Sequence, residues 1–296
     1  MNKSSFSAGV LYGISAYALW GILPLYWKLL SAVNPFHILA FRILFSLVLV
    51  GVILTVQKNF TWFNLFKDKR DGFLNILAAL FICFNWGLYI WAVNNGHTIE
   101  AAMGYYINPL ISVVLGLCIF REKINLLQII SFLLAVTGVV LQIIITGSPP
   151  WISLGLALSF GTYGLIKKTI KLQALESLGS ETLAASPVSL ALLIGIGGKF
   201  PNPEGLSYIL DLPVMTLIML SICGIITALP LFLFAKCVKI LPLSTVGFMQ
   251  FLAPTLTFLA GVFIFRESFS NHSLSVFGFI WAAVILYIIS LRRIPK

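Results

Sequence analysis

NPLISVVLGLCIFRE, residues 108–122, returns 145 positions later as APTLTFLAGVFIFRE, residues 253–267. Pro109, Gly116, Ile119, Phe120, Arg121 and Glu122 each meet an identical residue at that offset. Both copies lie in apolar segments of helix length. An internal repeat in a chain of this kind is a known route to a transporter, with the substrate site where the halves meet.

The rest of the chain supplies the membrane setting. Of 296 residues, 59% are hydrophobic and only 9% charged, with a mean hydropathy of +1.03. A water-soluble domain carries roughly 25% charge. Uncharged windows run over 4–27, 43–57, 72–99, 124–166, 182–198, 212–235, 240–265 and 268–291. A helix crosses the hydrocarbon core in about 20 residues. Thr146-Gly147-Ser148-Pro149-Pro150 splits one long window, and Asn94-Asn95-Gly96-His97 splits another. Ten spans result, near 8–30, 35–57, 72–95, 98–120, 125–146, 151–171, 179–199, 213–236, 240–265 and 271–291. The first is an anchor, too long for a signal core and without a small-residue cleavage site.

Charge sets the orientation. With the amino terminus inside, cytoplasmic segments hold 15 of the 19 basic residues, among them Lys58, Lys69, Arg70, Arg121, Lys167, Lys168, Lys171, Lys239 and Arg292. Lys28, Lys199 and Arg266 fall outside, and Arg42 lies within a span. This is the positive-inside pattern, and it places both termini in the cytoplasm. The net charge of +10 therefore needs no nucleic acid. The aromatic stretch 60–66 and its following cations suit the lipid interface. Cys83, Cys118, Cys223 and Cys237 show no metal-like spacing and read as small apolar fillers. No metal or cofactor site emerges.

Five spans per repeat is an odd number, so the second half inserts upside down. The expected architecture is an all-α polytopic membrane protein of ten helices in two inverted five-helix repeats, 1–147 and 148–296. At 100° per residue, Ala101, Tyr105, Asn108, Pro109, Ser112 and Gly116 share one face of the fourth span. Their counterparts on the ninth are Val246, Gln250, Ala253, Pro254, Thr257 and Gly261. Small, polar stripes of this kind serve either close helix packing or a cavity. The glycines suit packing; Tyr105, Asn108 and Gln250 suit a cavity, because polar groups at membrane depth are costly without a purpose. Pro109 and Pro254 are candidate hinges, each removing a backbone donor in mid-span.

Gly13, Tyr17, Trp20, Gly21, Pro24 and Lys28 share a face of the first span. Trp20 is at mid-span, a cavity wall or a packing residue, whereas Trp27 and Trp151 sit where aromatic belts form. Asn85 and Tyr89 share a face of the third span, with Trp86 and Trp91 beside them. Arg42, about two turns inside the second, needs a partner or a wet cavity. Glu100 lies toward the same side; it serves as the acid of a proton cycle or simply suits a helix start. Lys28 serves the cavity or snorkels outward. The candidate substrate-binding set is Tyr17, Trp20, Lys28, Arg42, Asn85, Tyr89, Glu100, Tyr105, Asn108 and Gln250.

Tyr17-Ala18-Leu19-Trp20-Gly21, Asn85-Trp86, Trp91-Ala92-Val93-Asn94-Asn95, Glu100-Ala101, Gly104-Tyr105-Tyr106-Ile107-Asn108-Pro109 and Phe120-Arg121-Glu122 resemble the RarD-type proteins of the EamA branch of the drug/metabolite transporter superfamily. Arg121-Glu122 stands where Gly-Glu is frequent in that branch. The resemblance runs along the whole chain and implies a bacterial inner-membrane permease with a central cavity between its repeats. It also implies alternating access, moving amino acids, drugs or related small metabolites, often outward. It supplies no transferable set of binding residues. The sequence has no phosphate-binding Walker loop, no Gly-x-Ser-x-Gly elbow and no His-Glu-x-x-His. A secondary carrier with a small-molecule substrate, with or without a proton, is expected ahead of an intramembrane enzyme or a receptor or scaffold.

Overall fold

The computed structural model describes residues 3–63, 68–94, 97–147, 151–194, 209, 211–264, 266 and 271–292. These form helices α1 (Lys3–Leu29), α2 (Pro35–Val56), α3 (Lys69–Asn94), α4 (Thr98–Ile119), α5 (Leu126–Thr146), α6 (Trp151–Thr169), α7 (Ala174–Ile194), α8 (Val214–Ile240), α9 (Leu243–Gln250), α10 (Leu252–Phe263) and α11 (Asn271–Arg292). A single 3-10 turn covers Thr61–Phe63, and the described residues contain no strand. The chain is an all-α polytopic membrane protein, with α9 and α10 together making the ninth span.

Local chemistry sets the boundaries. Asn34 caps α2, its Oδ1 accepting the Phe36 amide at 2.9 Å, with Pro35 in the first turn. Asn125 and Gln128 close a reciprocal capping box on α5, satisfying amides that have no partner within the helix. Gly147, at φ 67°, ends that helix in the left-handed region.

Packing follows a pseudo-twofold axis. The pairs α4–α6, α3–α6 and α3–α7 are matched by α1–α10, α1–α8 and α2–α8, each obtained by exchanging a span for the one five places on. The pairs α2–α7, α4–α9 and α5–α11 map onto themselves. Arg121 and Arg266, the equivalent residues of the repeated Phe-Arg-Glu motif, are both left-handed, at φ 51° and φ 56°. In the first copy this folds Glu122 back so that its amide donates to the Gly116 carbonyl at 3.2 Å. Glu267 lies outside the described residues.

The ninth span departs from the expected continuous helix, breaking at Phe251. Pro254, three residues on, has no amide to return to the Gln250 carbonyl. It sits in the first turn of α10, where no intrahelical donor is required. The Thr255 hydroxyl and amide both donate to the Phe251 carbonyl, at 2.7 and 3.2 Å. Pro109, by contrast, sits inside an unbroken α4.

Two other expectations change. Trp62 is not spread at the lipid interface: it is buried between α2 and α7, against Gly51 and Gly179, and its carbonyl accepts from the Ser180 hydroxyl at 3.0 Å. Residues 64–66 of that stretch lie outside the described part. Lys167 is not a solvated cytoplasmic cation. It is fully buried and paired with Glu181 of α7 at 2.7 Å. Its sequence neighbours Lys168 and Lys171 mark the end of a span, but the tertiary contact draws this one lysine inward.

Candidate functional site

Between the repeats lies a cavity of about 620 Å³. Taking the face that holds the amino terminus as the near face, the cavity occupies the far half. Its walls are the C-terminal parts of α1 and α3, the N-terminal parts of α2, α4 and α6, the length of α10, and single residues of α8 and α9, reaching Trp27, Ala101 and Val262 close to the helix ends. Tyr105 is 50% exposed although it points along the inward stripe of α4, so this half is open.

Aromatic rings make the floor. Trp20 lies 5.4 Å from Tyr17, 5.7 Å from Phe160 and 5.8 Å from Phe234, and Tyr163 stacks on Phe234 at 5.8 Å. Tyr17, Tyr163 and Phe234 are buried. These rings close the path toward the near face by filling it, which polar side chains alone would not do without partners.

Arg42 dominates the wall. Its Nε donates to Thr227 Oγ1 of α8 at 3.0 Å, and its guanidinium lies 4.4 Å from the Trp86 ring and 5.0 Å from the Trp27 ring. No carboxylate pairs with it among the described residues. Cation–π contact on two rings holds the charge at the cavity wall. Trp27 is therefore a cavity residue and not simply a belt residue. Below Arg42, the Ser46 hydroxyl donates to the Arg42 and Gly224 carbonyls at 2.6 and 3.0 Å, fixing α2 on α8.

The remaining polar side chains divide by what they touch. Asn85 lines the cavity, but its Nδ2 is committed to the Leu156 carbonyl and Ser159 hydroxyl, at 2.8 and 2.9 Å, tying α3 to α6. Gln250 Nε2 donates to Ser112 at 2.7 Å across the α4–α9 contact. Its Oε1, with Asn108 Oδ1 and the Tyr17 hydroxyl, is buried and has no hydrogen-bond partner among the described residues. All three residues line the cavity. Tyr89 and Tyr105 meet edge to face at 5.9 Å beside them.

The structure thus gathers Tyr17, Trp20, Arg42, Asn85, Tyr89, Tyr105, Asn108 and Gln250 around one space, with Pro254 in its wall. Pro109 stands behind the wall, its carbonyl against Gly247 of α9. Lys28 does not line the cavity; it is exposed in the last turn of α1, where the snorkelling reading placed it. Glu100 lies in the first turn of α4, and its side chain is outside the described part. Sequence reasoning missed Trp86 as a seat for Arg42, and it missed Thr227, because a contact between α2 and α8 leaves no local pattern. It also missed Glu181, whose signal was available: an acid at the edge of an apolar segment.

Beneath the floor, two charges hold the turn between α8 and α9. Glu122 accepts the Leu243 and Ser244 amides at 2.6 and 2.9 Å, capping α9. Lys168 donates to the Val238 and Leu241 carbonyls at 3.0 and 2.5 Å, at the end of α8. Each charge has the sign that its helix end attracts.

An all-helical membrane bundle with two matched halves around a large, mainly apolar cavity suits a membrane transporter of the drug/metabolite type, and similarity to known proteins shows that class. The EamA-like transporter family model matches twice, over residues 7–144 and 150–289, and the chain belongs to that family. It is 40% identical to the uncharacterized transporter YojE of Bacillus subtilis (strain 168), over 98% of this chain and 96% of the relative. It is 39% identical to the protein RarD of Streptomyces exfoliatus, covering 94% of this chain and 87% of that one. To the protein RarD of Escherichia coli (strain K12) it is 35% identical, over 97% and 96%. A solved crystal structure shares the fold with a TM-score of 0.72 at 17% identity, covering 96% of this chain and 99% of the other.

Proposed function

We propose that this chain is a secondary carrier, not an enzyme, for small zwitterionic or anionic metabolites, amino acids and related organic acids. It works by alternating access in a bacterial inner membrane, with both termini and the near face cytoplasmic. The observation that carries this reading is Arg42, a cation within the membrane whose one hydrogen bond among the described residues goes to Thr227. A carboxylate accepts two parallel bonds from such a guanidinium. The ring faces of Trp20, Tyr89 and Tyr105 along the same wall offer π surfaces to an ammonium group. Aromatic walls cover the apolar part, and a volume of about 620 Å³ falls in the range of small-molecule sites.

Counterflow in proteoliposomes tests it. Vesicles are preloaded with a mixture of amino acids and small organic acids, and labelled members are added outside. Wild-type protein is expected to accumulate label. Arg42→Ala should depress this at least tenfold for carboxylate-bearing compounds, the scale of one charged hydrogen bond (about 1.5–3 kcal/mol). Arg42→Lys should recover only part, because an ammonium lacks the planar fork. The Tyr105→Ala/Gln250→Ala double variant should lose accumulation. Wild-type protein that is folded but shows no counterflow, or an Arg42→Ala variant equally impaired for neutral and charged compounds, contradicts the reading.

A further inference from the structure

The Lys167–Glu181 pair is the one buried ion pair seen among the described residues, and it stands apart from the cavity lining. Lys167 Nζ reaches Glu181 Oε2 and the Ser177 hydroxyl, both at 2.7 Å. Ser177 in turn donates to Asn75 Oδ1 of α3 at 2.8 Å. The Tyr163 hydroxyl donates a bond shared between the two Glu181 oxygens, at 3.2 and 3.3 Å. Oε1 has no other bond, so it retains lone pairs able to take a proton.

Glu181 also borders a second, very small void of about 10 Å³, together with Ser46, Trp86 and Thr227. Thr227 accepts from Arg42, and Trp86 lies against the same guanidinium. Ile82, Trp86 and Leu231 line both this void and the large cavity. The void beside Glu181 and the cavity beside Arg42 thus share three lining residues, and Thr227, which accepts from Arg42, borders the void. The void is near the lower limit for one water molecule. The other titratable groups that act on the pair are Tyr163 on α6, Cys83 on α3 and Lys239 on α8, and Lys239 in turn feels Asp71 and Glu176.

We propose that Glu181 is the proton-binding carboxylate of this carrier and couples proton movement to anion loading at Arg42. The proposal rests on the transport reading above. With Arg42 empty, its positive charge favours the ionised carboxylate. An anion bound there cancels that field, and Glu181 then takes a proton at Oε1 from hydronium, leaving water, by way of the small void it shares with Thr227. The proton leaves to water at the other face once the anion has gone. By reciprocity, protonation of Glu181 tightens anion binding to the same degree. The sign follows: substrate anion and proton travel in the same direction.

Three measurements test it. In pH-difference infrared spectra of the purified protein, a carboxylic C=O band is expected that Glu181→Gln removes; identical spectra for the two proteins overturn the proposal whether or not transport is seen. In the vesicles described above, external acidification should drive uptake of the labelled amino-acid mixture and acidify a trapped pH dye. Glu181→Gln should retain counterflow while losing at least about fivefold of the acid-driven accumulation, the low end of ordinary coupling. The Lys167→Met/Glu181→Gln variant, which leaves no unpaired buried charge, should behave the same way. Acid-driven accumulation persisting in either variant overturns the coupling role. Loss of wild-type counterflow would instead strike the transport reading.

Discussion

Gly224→Ala is expected to prevent this protein from accumulating in the membrane as a folded, monodisperse species. Gly224 sits where α8 crosses α2, and a Cβ there would collide with the Phe45 carbonyl carbon, lie 2.5 Å from its Cβ and 2.7 Å from its carbonyl oxygen. Two of these atoms are backbone, so no rotamer change relieves the clash. The helices must separate. Separation would pull the Ser46 hydroxyl from the Gly224 carbonyl and Arg42 from Thr227, both bonds of the same crossing. Overpacking a closed interior costs about 1–3 kcal/mol where side chains can adjust, and here they cannot. The comparison is Gly278→Ala, at a position with nothing within 4 Å. Alanine within a helix is favoured over glycine by about 1 kcal/mol, so that variant should match or exceed the wild type in a thermal-shift series. Equal melting of the two variants would show that α2 and α8 do not approach as closely as described.

Glu122→Gln is expected to open the near half. The carboxylate accepts two amides at the start of α9; an amide side chain offers one acceptor and sets its own donors against the second N–H. Charged hydrogen bonds contribute about 1.5–3 kcal/mol each, so the closed population should fall roughly ten- to hundredfold. Cys237 is the reporter, fully buried one turn above the turn that Glu122 and Lys168 hold. In a background with Cys83, Cys118 and Cys223 replaced by alanine, maleimide should label Cys237 at least tenfold faster in the variant. Lys168→Gln, which loses the contacts to the α8 carbonyls, should act in the same direction. Unchanged labelling in a protein of unchanged thermal stability would mean that the aromatic floor alone keeps this half shut.

What the sequence made legible were the features that repeat at short intervals. Apolar run lengths located the spans, and helical spacing put Tyr105 and Asn108 on one face and Tyr17 and Trp20 on another. Intramembrane charge picked out Arg42. The contacts that give these residues meaning join helices distant in the chain: Arg42 with Thr227 is a separation of 185 residues, and Gln250 with Ser112 one of 138. No periodicity encodes such pairs. Trp27 illustrates the difficulty, since a tryptophan near a span end suits a lipid belt and a cavity rim equally until the neighbouring helix is placed. Lys167 fails for a related reason, because three basic residues at a helix end look like one solvated group. Only the position of Glu181 on α7 separates the first from the others.

The break at Phe251 has a consequence for the state that faces the other way. Exchanging the shapes of the two repeats, at the offset of 145, carries the interruption from Phe251 to Tyr106, three residues before Pro109. The fourth span would then unwind one turn above the cavity floor while the ninth runs straight through Gln250 and Phe251. If the carrier alternates as proposed, the kink at Phe251 would pass from one span to its twin at each half-turnover. Amide hydrogen exchange should then speed up around residues 104–107 and slow around 249–252 as the near half opens, two opposite changes from one motion.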